Sequence, residues 1–235
     1  MPIYRRPEDT PSAFFKRTIS AQLHGLGALA AIIGGYFLVS RTYFHFGFAH
    51  VLACCVFILG GIGVLFTSSL YHFLHDGFTI SPDLEALFEK LDHSAIYIFI
   101  AGSYSPFLMN SLEGNWRRGL MIGIWMIALL GIIYTFIRES LPFWMQHRYL
   151  YTGLFIAMGW TLLIRVGAIY DHLSVRSMML FGLGALAYTI GAVAYATRRP
   201  KLLEGFFGFH EFWHLMVLIG FIFHYLMILD FYPVA

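Results

Sequence analysis

Two pairs of polar side chains are spaced four residues apart inside otherwise apolar stretches of this sequence. His210 and His214 form one pair, and Ser68 and His72 form the other. Four residues make about one helical turn, so the members of each pair share one face of a helix. Two histidines at this spacing can bind one metal ion with both imidazoles. The pattern therefore indicates metal binding on helices.

The composition indicates that these helices cross a membrane. Of the 235 residues, 59% are hydrophobic and 12% are charged, whereas soluble domains have about 45–50% and about 25%. The mean hydropathy is +0.71. Because a spanning helix takes roughly 20 apolar residues, seven helices use about 140 and leave no room for a separate catalytic domain. Any chemistry must then lie inside the membrane bundle.

Seven apolar runs predict an all-α, polytopic membrane protein, in which residues 1–235 form a single bundle of seven transmembrane helices. The predicted spans are 20–40, 49–74, 91–110, 120–137, 149–170, 177–197 and 209–229. Strands of a membrane barrel would be shorter and would alternate in polarity. The short tail over residues 1–19 is polar and lacks the apolar core of a signal peptide. We therefore expect the first span to stay in the mature protein.

The lysines and arginines predict the orientation of the bundle, since they are in excess on the cytoplasmic side. With the N-terminus inside, the inner segments hold ten of them: Arg5, Arg6, Lys16, Arg17, Lys90, Arg138, Arg148, Arg198, Arg199 and Lys201. The outer segments hold five: Arg41, Arg117, Arg118, Arg165 and Arg176. This asymmetry predicts a cytoplasmic N-terminus and, with seven spans, an external C-terminus.

The predicted topology brings polar residues of three spans to one depth. His72 ends the second span on the inside, while Asp92 and His210 begin the third and seventh spans there. Ser68 and His214 lie about 6 Å deeper. Ionisable residues within spans are costly and mark functional sites. Three histidine ligands with one open position are the usual form of a catalytic zinc site.

The residues alone leave alternatives open at this site. Imidazoles favour zinc over magnesium or calcium, although iron, copper and nickel also accept them. The histidines could instead be hydrogen-bonded within the bundle without a metal ion. Glu211 lies about 100° around the helix from the predicted ligands, which favours a supporting or surface role over ligation.

The remaining histidines fit the site less well. His75 and His93, like the neighbouring Asp76, lie near the inner loop, where we expect water to solvate them. His224 lies about 15 Å along the helix from His214, too far to share an ion. Interfacial positions are predicted for the others: His45, His50, His147 and His172.

Several classes of protein are excluded. The 15 basic and 13 acidic residues include no basic block, so nucleic-acid binding has no support. Cys54 and Cys55 are adjacent in an apolar run, which cannot form a disulfide framework and predicts small core residues. A retinal protein needs a lysine in its last span, but the lysines are Lys16, Lys90 and Lys201.

Three motifs carry a resemblance to a known family. They are SxxxH over 68–72, LDHSA over 91–95 with AGSYSP over 101–106, and FHEFWH over 209–214. In this order, on the second, third and seventh spans, they resemble the hemolysin III branch of the progestin and adipoQ receptor family, which is related to the alkaline ceramidases. The resemblance covers nearly the whole chain.

The resemblance implies a seven-helix protein of the bacterial inner (plasma) membrane with one zinc ion near the cytoplasmic side. The zinc ligands that it implies are His72, His210 and His214. It further implies that Asp92 holds or activates a water on the zinc, with Ser68 beside it.

The first span departs from the family pattern. Bacterial members often carry Glu-x-x-Asn-x-x-x-His there, whereas Arg17 and Ser20 stand before His24 in this chain. The departure leaves His24 with no predicted role beyond lining the bundle.

The favoured function is a zinc-dependent hydrolase of lipid amides or esters. In it, Asp92 transfers the proton and Ser68 donates a hydrogen bond to the oxyanion. The alternatives are a receptor-like or scaffold protein with a structural zinc, a lytic or pore-forming protein, and a haem protein with paired imidazoles. The expected partner is a lipid-like small molecule, and the sequence does not predict the oligomeric state.

Overall fold

The computed structural model describes residues 4–5, 10–170, 173–203 and 207–233. Within them, the helices are α1 Pro11–Arg17, α2 Ile19–His45, α3 Phe48–Gly77, α4 Pro82–Ser111, α5 Gly114–Ile137, α6 Phe143–Gln146, α7 Arg148–Gly159, α8 Val166–Tyr170, α9 Val175–Thr197 and α10 Phe209–Phe231. The described strands, β1 Tyr4–Arg5 and β2 Phe78–Thr79, pair in antiparallel register. The predicted all-α class is thus confirmed apart from this short ribbon. Arg6 and His172 lie outside the described residues.

Five of the described helices are long and apolar enough to cross a membrane: α2, α3, α5 with its following 3₁₀ turn, α9 and α10. They coincide with the first, second, fourth, sixth and seventh predicted spans. Many of their large apolar side chains point outward, for example Tyr36, Phe44 and Phe48, which are 72%, 76% and 81% exposed. Such surfaces suit lipid rather than water, and the chain is a polytopic membrane protein.

The third predicted span is part of a longer helix. α4 begins at Pro82, nine residues before the predicted start at residue 91. Proline at the first helical position and acidic residues in the first turn, here Asp83 and Glu85, both favour helix initiation. The polar start of α4 lowers its mean hydropathy, although its later turns are apolar and buried.

The fifth predicted span is broken near its middle. α7 ends at Gly159, and a 3₁₀ segment over Thr161–Arg165 leads into α8. The hydroxyl of Tyr104 donates to the carbonyls of Met158 and Gly159, at 2.8 and 3.0 Å. The indole of Trp160 donates to Thr189 at 3.0 Å. These contacts from α4 and α9 satisfy polar groups at the end of α7.

Close helix packing depends on small residues. α3 lies between α2 and α4, and α9 packs along α10. A Cβ atom on Gly102 would lie 3.0 Å from the carbonyl oxygen of Val56, and one on Gly60 would lie 3.3 Å from Cα of Phe99. The backbones of α3 and α4 therefore approach through glycine, as is common in membrane bundles. This packing holds the end of α3 beside the polar start of α4.

Candidate metal centre

Three histidines from two helices meet at one point. Nε2 of His210 lies 3.2 Å from Nε2 of His72 and 3.0 Å from Nε2 of His214. Potential ligand atoms of all three lie within 4.8 Å of one another. His72 and His214 are buried, and His210 is partly buried. The structure therefore brings together the three residues that the sequence predicted as metal ligands.

The separations between these nitrogens suit a single zinc ion. Zinc–nitrogen bonds of about 2.0–2.1 Å in a tetrahedral site place ligand atoms about 3.3 Å apart. Without an ion, three Nε2 atoms face each other, although each neutral imidazole carries only one proton. A cation accepts a lone pair from all three, so the donor set fits zinc.

A chain of polar contacts orients His72 through Nδ1, the ring nitrogen that faces away from the cluster. Nδ1 of His72 lies 3.3 Å from Oδ2 of Asp76, one turn further along α3. The other oxygen of Asp76 contacts Nδ1 of His75 at 2.7 Å, and Nε2 of His75 contacts Glu85 on α4 at 3.2 Å. Because a carboxylate only accepts, Asp76 favours the tautomer of His72 with its proton on Nδ1. Nε2 then presents its lone pair to the cluster.

His214 has polar neighbours on the opposite side of its ring. Its Nδ1 lies 3.2 Å from the ring nitrogens of His24 and 3.5 Å from the hydroxyl of Ser68. Nε2 of His24 also lies 3.1 Å from the backbone carbonyl oxygen of His214. His24 and His214 are each only 2% exposed. His24 thus contacts a predicted ligand directly, beyond the lining role expected for it.

Two cavities meet at the cluster. The inner vestibule is polar and is lined by charged and aromatic residues around the histidines, among them Tyr71, Asp76, Glu89, His93 and Tyr195. The apolar cavity runs between α3, α4, α7, α9 and α10. Its lining includes Phe99, Phe107, Phe155, Phe181 and Trp213.

Asp92 and His214 line both the inner vestibule and the apolar cavity. Asp92 is partly buried on α4. Ser68, one turn deeper on α3 than His72, lines the apolar cavity. The predicted catalytic pair therefore lies where polar and apolar surfaces join.

Other polar residues near the centre have structural contacts. Glu211 accepts a hydrogen bond from the backbone N–H of Gly208 at 2.8 Å, which caps the start of α10. Nδ1 of His93 donates to the carbonyl of Glu89 at 2.8 Å, within α4. Ser69 donates to the carbonyl of Ala21 at 2.8 Å and joins α3 to α2. These contacts fix the helices that carry the histidines.

Fold and site together define a class: an integral membrane protein whose helices carry a candidate three-histidine metal centre. The sequence profile of the family described as "Haemolysin-III related" matches residues 13–225. The chain belongs to this family.

Individual relatives agree with this assignment. The chain is 32% identical over 210 residues to Hemolysin-3 of Bacillus cereus, with 88% of each protein covered. It is 29% identical to the Hemolysin-3 homolog of Bacillus subtilis (strain 168), with 86% and 87% covered. The adiponectin receptor protein of Drosophila melanogaster is 26% identical over 86% of this chain and 47% of its own length. These relatives support the branch that the three motifs resemble.

Proposed function

We propose that the chain is a zinc-dependent hydrolase of amide or ester bonds in lipids. The observation that carries this proposal is the meeting of the inner vestibule and the apolar cavity at the histidine cluster. His72 and His210 line the polar vestibule, where water would enter, and the apolar lining of the other cavity suits an acyl chain. A reactive carbonyl would then lie at the junction, beside Asp92.

The residues at the junction have complementary roles in this proposal. His72, His210 and His214 hold the zinc ion. When bound, zinc supplies Lewis-acid chemistry that activates water and polarises a carbonyl at neutral pH. Asp92 accepts the proton of the attacking water and returns it to the leaving group. Ser68 donates a hydrogen bond to the oxygen of the attacked carbonyl as negative charge develops there.

The membrane arrangement belongs to the same proposal. Seven spans with a cytoplasmic N-terminus put the inner vestibule on the cytoplasmic side of a bacterial inner membrane. The substrate is a lipid-like small molecule that enters from the bilayer, and nucleic acid has no part. Excess Lys and Arg in the inner segments, together with the polar start of α4, support this orientation.

Asp92→Ala tests the proposal in purified, zinc-loaded protein supplied with ceramides, phospholipids and simple acyl esters. We expect the wild type to release fatty acid from at least one class, and Asp92→Ala to retain zinc without turnover. His210→Ala and His214→Ala should each lose both zinc and turnover. Zinc content is measured by elemental analysis after mild chelation.

Exposed residues of the same types provide matched controls. Asp83→Asn changes a carboxylate in the first turn of α4, and His45→Ala changes a histidine at the end of α2, both exposed. Both variants should keep zinc and turnover. Full zinc content in both His210→Ala and His214→Ala would refute the metal site, and wild-type turnover in Asp92→Ala would refute the mechanism.

The names of two relatives favour two other candidate functions. The Drosophila relative is called a receptor, which fits a receptor-like or scaffold protein in which zinc joins α3 to α10. The Bacillus cereus relative is called a hemolysin, which fits a lytic activity. Zinc without turnover on the whole lipid panel favours the first candidate. Ion flux through liposomes that contain the purified protein favours the second.

A further inference from the structure

The apolar cavity contains two buried polar groups without hydrogen-bond partners. Nε2 of His224 and the hydroxyl of Tyr188 both lack a partner among the described residues. His224 is 9% exposed, and both residues line the cavity. Buried polar groups without partners are rare, because each one loses its hydrogen bonds to water. A polar group on a molecule bound in this cavity would supply the missing partner.

The helix packing holds both groups in place. A Cβ atom on Gly184 of α9 would lie 2.3 Å from Cδ2 of His224. A Cβ atom on Gly220 of α10 would lie 2.5 Å from the ring of Tyr188. The His224 ring also stacks on Phe181 at 5.8 Å and contacts the edge of Tyr188 at 5.2 Å. Gly184 on α9 thus leaves space for the ring of His224, and Gly220 on α10 leaves space for the ring of Tyr188.

This pair is distinct from the metal centre. His224 lies about 15 Å along α10 from His214. The cavity connects the two places, since its lining includes His214, Asp92 and Ser68 as well as His224 and Tyr188. A long molecule that reacts near Asp92 would therefore extend toward His224.

Two other polar side chains that line the cavity have partners within their own helices. Ser103 donates to the carbonyl of Phe99 at 2.8 Å, and Thr189 donates to the carbonyl of Ala185 at 2.7 Å. A buried water typically makes about three hydrogen bonds, whereas His224 and Tyr188 offer two. The surrounding lining is apolar, which favours a polar group carried on a hydrocarbon chain over isolated water.

We propose that His224 and Tyr188 bind a neutral polar group, a hydroxyl or carbonyl, on the acyl chain of a lipid whose reacting end lies at the histidine cluster. Tyrosine and neutral imidazole can each donate or accept a hydrogen bond, and neither supplies a full charge. The pair therefore selects among lipids by a substituent far from the reacting bond. This inference rests on the proposed function in one respect only, namely that the reacting end of the lipid lies at Asp92.

Equilibrium binding of long-chain fatty acids to the zinc-loaded protein in lipid nanodiscs tests the inference. The probes are acids of one chain length that carry a single hydroxyl at successive positions, together with the unsubstituted acid. We expect one position to bind about tenfold more tightly than the unsubstituted acid, a typical gain from one hydrogen bond. Tyr188→Phe and His224→Phe should each reduce this preference toward onefold. Tyr188→Phe should keep the wild-type melting temperature, because its hydroxyl has no hydrogen-bond partner among the described residues. His224→Phe also removes a hydrogen bond from the ring to the backbone of Phe181, so Tyr188→Phe is the deciding variant.

Tyr225→Phe is the matched control, since the Tyr225 hydroxyl donates to the carbonyl of Gly34 at 2.8 Å, away from the cavity. It should keep the wild-type preference. Equal binding of all probes to the wild type, or an unchanged preference in Tyr188→Phe, would overturn the inference. A preserved preference without hydrolysis of any lipid would reject the proposed function and leave this binding site standing.

Discussion

The histidines of the cluster contact further polar residues, which orient their rings. Asp76 orients His72, while His24 and Ser68 lie against the far nitrogen of His214. Outer partners of this kind fix the tautomer and direction of a metal ligand. At the residue scale, the site therefore includes Asp76, His24 and Ser68 in addition to its three predicted ligands.

Asp76→Asn tests this outer layer. The amide can no longer accept from Nδ1 of His72 with full negative charge, so the ligand loses orientation and basicity. We expect zinc affinity to fall by about 10–100-fold while His72, His210 and His214 still bind the ion. The measurement is competition between the purified protein and a chelator of known affinity at fixed pH.

Glu85→Gln is the comparison variant for Asp76→Asn. Glu85 contacts His75 and reaches the predicted ligands only through other side chains. We expect its zinc affinity to stay within a few-fold of the wild type. Wild-type affinity in Asp76→Asn would mean that the contact of Asp76 with His72 does not tune the site.

Helical periodicity made part of the site predictable from sequence. His210 and His214 are one turn apart, and Ser68 precedes His72 by one turn, so each pair had to share a face. The same spacing relates His72 to Asp76, and this signal could have identified Asp76 as a partner rather than a solvated loop residue. His24 lies on a separate helix with no such pattern, and only packing reveals its contact with His214.

The helix boundaries were likewise predictable where they depend on the local sequence, but not where they depend on contacts between distant residues. Apolar runs predicted the five spanning helices, with ends within three residues except at the end of α2 and the start of α5, because composition alone determines which segments suit lipid. The break after Gly159 depends on contacts from Tyr104 and Trp160, which join residues distant in sequence.

Gly102→Ala tests how helix packing supports the bundle. The added methyl group would meet the backbone oxygen of Val56 at 3.0 Å, and a backbone cannot rotate away as a side chain can. We expect a loss of about 1–3 kcal/mol in unfolding free energy, typical of overpacking. The observable is a lower melting temperature of the purified protein in detergent.

Gly63→Ala on α3 is the matched control, since no atom of another described helix lies within 4 Å of the position that a Cβ atom would take there. Alanine has lower backbone entropy than glycine in the unfolded chain, so this variant should be neutral or slightly stabilised. Equal melting temperatures for Gly102→Ala and Gly63→Ala would show that α3 and α4 adjust without strain.

At the scale of the whole molecule, two ion pairs connect the first part of α4 to the end of α5. Lys90 on α4 contacts Glu139 at 3.1 Å, and Arg138 after α5 contacts Glu89 at 3.2 Å. The start of α4 and the end of α5 therefore lie at the same side of the bundle. With 30 residues, α4 is about 45 Å long, more than the roughly 30 Å of a hydrocarbon core. It is long enough to cross beside α5.

Alkaline phosphatase fusions in a bacterial host test the seven-span arrangement, because this enzyme is active only outside the cytoplasm. We expect activity for fusions after Ser174 and at the C-terminus, and none after Gln146 or Pro200. The fusion after Gln146 is the most informative. If neither α4 nor the α7–α8 segment crosses, the five remaining spans still place the C-terminus outside, but they also place Gln146 outside. An inactive fusion there, with an active C-terminal fusion, supports seven spans, whereas activity at Gln146 would reduce the count to five. A cytoplasmic reporter fused at the same positions should give the opposite pattern.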